Sequence, residues 1–119
     1  SDLDSLQESV TLFLVKLSKD EPHSISLKSD ECLLNSMNTL RSENPKTVLN
    51  CLTLINNLWC NDELIHKVAA MSEQLNTLVV LLNRPMEAEQ QEHIISQISQ
   101  ILDCIAKHDD SLAIFATHR

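Results

Sequence analysis

Residues 49–83, LNCLTLINNLWCNDELIHKVAAMSEQLNTLVVLLN, decide the fold, because their apolar residues recur at helical spacing and because the pattern is written again elsewhere in the chain. With Leu58 as an origin, the positions seven, four and three before it are Cys51, Leu54 and Ile55. The same offsets from Leu17 give Val10, Phe13 and Leu14, and from Ile105 they give Ile98, Ile101 and Leu102. All are apolar. Ten residues past each origin stand Leu27, Val68 and Phe115, so the agreement crosses a polar break, with spacings of 41 and then 47 residues. Periods of that length belong to stacked helical repeats. A further set, Leu33, Met37 and Leu40, is matched 42 residues later by Leu75, Val79 and Leu82.

Working outward, the spacing predicts a first helix from Asp4 to Ser18, closed by Asp20, Glu21 and Pro22, whose carboxylates and ring suit a new helix start. A short helix through Ile25 and Leu27 follows, and Ser29 or Asp30 caps a third. Asn44-Pro45 is the clearest boundary, since Asn caps well and Pro fits the first helical turn. A long helix then runs to Trp59 or Cys60. Asn61-Asp62 restart the chain as a short helix holding Leu64, Ile65 and Val68, and Ser72 caps the next. Beyond Pro85 the polar run 87–92 is an extra turn or a loop, Ile94 to Ile105 form the third long helix, and Asp109-Asp110 precede a last short one through Ile114 and Phe115. No segment alternates as a strand does. The expected architecture is all-α, with eight helices in a single domain over residues 1–119.

Composition narrows the function. The chain of 119 residues is 43% apolar, enough for one real core. It has no glycine, which removes glycine-built phosphate cradles, and its three aromatic residues (Phe13, Trp59 and Phe115) are too few for base stacking. A net charge of −8 repels a phosphate backbone, so no direct nucleic-acid contact is expected. No apolar run reaches the roughly 18 residues of a spanning helix, so no membrane segment is expected. Cys32, Cys51, Cys60 and Cys104 lack paired spacing and read as reduced, buried thiols of an intracellular protein, cytoplasmic or nuclear. The chain reads as a piece of a longer protein.

The helix order is long, short, medium, repeated, and at this point the chain resembles the armadillo repeat family, or the similar HEAT arrays. The resemblance covers nearly all of the sequence in a shifted frame, and residues 49–83 carry it best. It implies a right-handed superhelical stack of about two and a half armadillo/HEAT-like repeats. It also places Asn57 at the family's ladder position, the third-helix asparagine that in peptide-binding members holds the backbone of an extended ligand. Lys16 and Cys104 stand there in the other two repeats, and the usual glycine between first and second helices is absent.

Beside each origin stripe runs a row of mostly polar residues. By the resemblance it lines a concave groove, in which Asn50, Thr53, Asn57, Ser96, Gln97 and Gln100 hold a partner's main chain, amides offering both donor and acceptor. The plainer reading is a solvated helix face. Trp59 reads as packing between helices. The pairs Cys104/His108 and Cys60/His66 lack the four-ligand grouping of structural zinc, so no metal or other cofactor is expected. The five histidines (His23, His66, His93, His108 and His118) have no orienting group or oxyanion site, so no catalytic residue is assigned and the chain is not read as an enzyme. Acidic pairs at Asp20/Glu21, Asp62/Glu63 and Asp109/Asp110 meet helix N-termini, with a secondary capacity to attract basic partner segments. The function expected is a non-enzymatic scaffold or adaptor module that binds a peptide or helix of another protein. The alternative is a structural assembly segment that self-associates or stacks within a larger helical array, with Phe13 and Phe115 as end contacts.

Overall fold

The computed structural model describes residues 2–59 and 72–106, with the side chains of residues 72, 74, 75, 105 and 106 outside the description. Six helices are described: α1 Asp2–Ser18, α2 Glu21–Leu27, α3 Asp30–Thr39, α4 Pro45–Trp59, α5 Ser72–Leu82 and α6 Ala88–Ala106. There is no strand among the described residues. The eight helices expected from the sequence are therefore six here. The other two, near residues 61–68 and 110–115, lie outside the described residues.

Local chemistry sets the helix ends. Ser29 is extended and its hydroxyl accepts from Cys32 N at 3.1 Å, opening α3. Asn44 opens α4 by accepting from Lys46 N at 3.0 Å through its side chain, with Pro45 in the first helical position, where a missing N–H costs nothing. Asp20 precedes α2 but makes no side-chain cap; its carboxylate pairs with His23 instead. None of the described residues has positive φ, so the helices close without the left-handed residue that glycine usually supplies. The polar run 87–92 belongs to α6 from Ala88 onward and lengthens that helix at its N-terminus.

α4 is the centre of the molecule. It packs against α1 on one side, α6 on another and α3 on a third, while α5 packs on α6. Each of α4 and α6 thus carries the medium helix that precedes it. The dimensions of 41 × 37 × 21 Å make a slab, and the short axis is about two helix diameters. The core is continuous, running from Val15 through Leu33, Met37 and the buried face of α4 to Leu78, Leu81, Ile94, Ile98 and Ile101. Trp59 lies within it, as expected, with its indole N–H unpartnered.

Two sequence expectations are corrected. In α5 Val79 is 44% exposed, whereas Leu78 and Leu81 are fully buried. The match to Met37 and Leu40 is therefore 41 residues, the spacing that also separates the first two long helices, and not 42. In α1 the expected core stripe is largely uncovered: Val10 is 47% and Phe13 60% exposed, with Leu14 and Leu17 half-buried. α1 instead buries Thr11, Val15 and Ser18. The cause is positional. The stripes of α4 and α6 are covered by α3 and α5, and no described helix plays that part for α1.

Candidate functional site

The asparagines singled out beside the long-helix stripe are used between helices. Thr11 donates its hydroxyl proton to Gln7 O at 2.8 Å and accepts from Asn50 Nδ2 at 3.1 Å, which also reaches Glu8 O at 3.2 Å. Seven residues on, Ser18 donates to Val15 O at 2.6 Å and accepts from Asn57 Nδ2 at 3.0 Å. Both pairs are separated by 39 residues, so the same polar clasp recurs at the same height step on each helix. α1 and α4 therefore run parallel and in register. Asn44 Nδ2 donates to Glu8 Oε1 at 3.0 Å nearer the helix starts, in the same sense.

On the other flank, Asn56 Nδ2 donates to Gln97 O at 3.0 Å and to Gln97 Oε1 at 2.7 Å, tying α4 to α6. Of the six groove residues expected from the sequence, Asn50, Asn57 and Gln97 thus lie in the seams between long helices. Thr53 is half-buried and its hydroxyl donates to Leu49 O at 2.8 Å, while Ser96 and Gln100 are exposed on α6. Asn56 was not singled out by the sequence reading. Its signal was its place on the flank opposite Asn50 and Asn57.

A second feature is apolar. α1 and α3 stand apart over α4 and enclose a cleft of about 550 Å³. Leu3, Leu6, Val10 and Leu14 form one wall, Cys32, Asn35, Ser36 and Thr39 the other, and Cys51 and Leu54 the floor. Asp4 and Gln7 share one mouth with Asn38, Arg41 and Glu43, so α3 runs opposite to α1. The exposed strip continues to Phe13 on α1, with Leu3 at 73% and Leu6 at 60% exposure. Leu3 was missed from sequence because the helix begins at Asp2, before the expected Asp4. Phe115, the other expected end contact, lies outside the described residues.

The cleft also holds the two free thiols, Cys32 and Cys51. Burial pushes the Cys51 thiol up to about 12, the nearby Cys32 adding to it. Burial also raises Cys32, and a hydrogen bond with Ser36 opposes that rise. Both are protonated and weakly nucleophilic at neutral pH. Cys104, half-buried near the end of α6, is disulfide-bonded, which corrects the expectation of four reduced thiols; Cys60 lies outside the described residues. Spacing rules look for close cysteine pairs and do not see a bond between distant positions.

Among the described residues no cluster of three metal-ligating groups occurs. His23 pairs with Asp20, His93 is exposed, and the metal pairs Cys104/His108 and Cys60/His66 fall wholly or partly outside the described residues. No described helix is long and apolar enough to cross a membrane. No family model, curated protein or solved structure matches this chain.

Proposed function

We propose that the chain is a protein–protein interaction module, a segment of an armadillo- or HEAT-like superhelical array that acts as scaffold or adaptor by holding a peptide or helix of a partner. One observation carries the reading. A contiguous strip of large apolar side chains (Leu3, Leu6, Val10 and Phe13) stands exposed along one helix, beside a cleft whose floor is already part of the core. Leaving such a strip in water is unfavourable by about 25 cal/mol per Å², and strips of this kind mark interaction sites. The solenoid architecture is supported by the parallel, in-register α1 and α4 and by the equivalent pairs α3–α4 and α5–α6.

The polar row is the weaker candidate for partner contact, because Asn50, Asn57 and Gln97 already serve neighbouring helices. The half-buried Thr53 and the exposed Ser96 and Gln100 complete the row. A cytoplasmic or nuclear setting remains part of the reading through the free thiols Cys32 and Cys51, and the disulfide at Cys104 counts against it. The test is a photo-crosslinking residue at Leu6 in the full-length protein in cells, with and without Phe13→Asp. A discrete partner, captured only when Phe13 is intact, is the expected result. Capture that ignores Phe13, but disappears when Thr53, Ser96 and Gln100 are replaced by alanine, would move the site to the polar row. Self-association has the same strip in its favour, and light scattering over a concentration series separates it from partner binding.

A further inference from the structure

We draw no further inference here: the strongest candidate, the exposed apolar strip of α1 (Leu3, Leu6, Val10 and Phe13) beside the cleft between α1 and α3, carries nothing beyond the reading above because nothing in the structure shows what covers it.

Discussion

The 41-residue register of α5 makes a sharp prediction, because it moves burial from one side chain to its neighbour. Leu78 is completely buried, while Val79, the residue selected by the 42-residue match, is 44% exposed. Leu78→Ala removes buried carbon from the contact of α5 with the core and leaves a cavity, at a cost of about 2–5 kcal/mol. Val79→Ala removes two methyl groups that are only partly out of water. At about 0.8 kcal/mol per fully buried methylene, the burial lost there is worth somewhat under 1 kcal/mol. Alanine's better helix propensity returns about half of that. The net change at Val79 is close to zero. Urea titration by circular dichroism is the assay, with an unchanged slope required so that midpoints report stability alone. Thermal melts should show a loss of roughly 8–20 °C for Leu78→Ala and little for Val79→Ala, at about 4 °C per kcal/mol for a domain of this size. Equal losses, or a larger loss at Val79, would refute the 41-residue register and with it the equivalence of α3 and α5.

Further predictions follow from the seams and the thiols. A double-mutant cycle on Thr11→Val and Asn50→Ala should return a coupling of about 0.5–1.5 kcal/mol, and a coupling indistinguishable from zero would show that the clasp is incidental. Cys51 sits in the fold with its thiol raised from 9.0 to about 12. The neutral thiol is therefore favoured by folding, its stabilisation is complete below the unfolded value, and it is lost as pH climbs from 9.0 toward 12. Urea midpoints should fall over that alkaline range more steeply for the natural chain than for Cys51→Val; parallel curves would contradict the assignment. Alkylation in denaturant without reductant, followed by peptide mapping, should label Cys32 and Cys51 and leave Cys104 unmodified until reductant is added. Labelling of Cys104 before reduction would remove the disulfide.

What the sequence shows and what it hides divide along physical lines. Helix positions were legible because apolar spacing, Ser29, Asn44 and Pro45 act within a turn or two of their own place. The burial of Trp59 was legible because the indole stands beside a stripe. The exposure of Val10 and Phe13 was not, because their own helix is indistinguishable from α4 in pattern and the two differ only in that no helix among the described residues covers the α1 stripe. The α5 register slipped by one because Leu75, Val79 and Leu82 are as apolar as the residues beside them, and Leu81 and Leu82 are both leucine. The seam bonds of Asn50 and Asn57 were not legible, because an amide at helical spacing is equally fit for a neighbour helix or for a ligand, and these bonds depend on hydroxyls 39 residues away.

Those hydroxyls connect the seams to the cleft. An apolar contact between parallel helices leaves their relative height loosely set, since sliding exchanges one greasy contact for another. An amide donor aimed at a particular carbonyl and a particular hydroxyl does not tolerate such sliding. Asn50 and Asn57 fix α1 against α4 at two heights, and α3 is fixed against α4 by Leu33, Met37 and Leu40. The two walls of the cleft are thus both referred to α4, although α1 and α3 stand apart across it. Loosening the clasp should change the cleft before it unfolds the chain. Asn57→Ala, which removes one hydrogen bond at a solvent-facing position, is expected to alter the alkylation rate of Cys32 while costing only about 1 kcal/mol of stability. An unchanged Cys32 rate in a measurably destabilised variant would mean that the seam and the binding surface are independent.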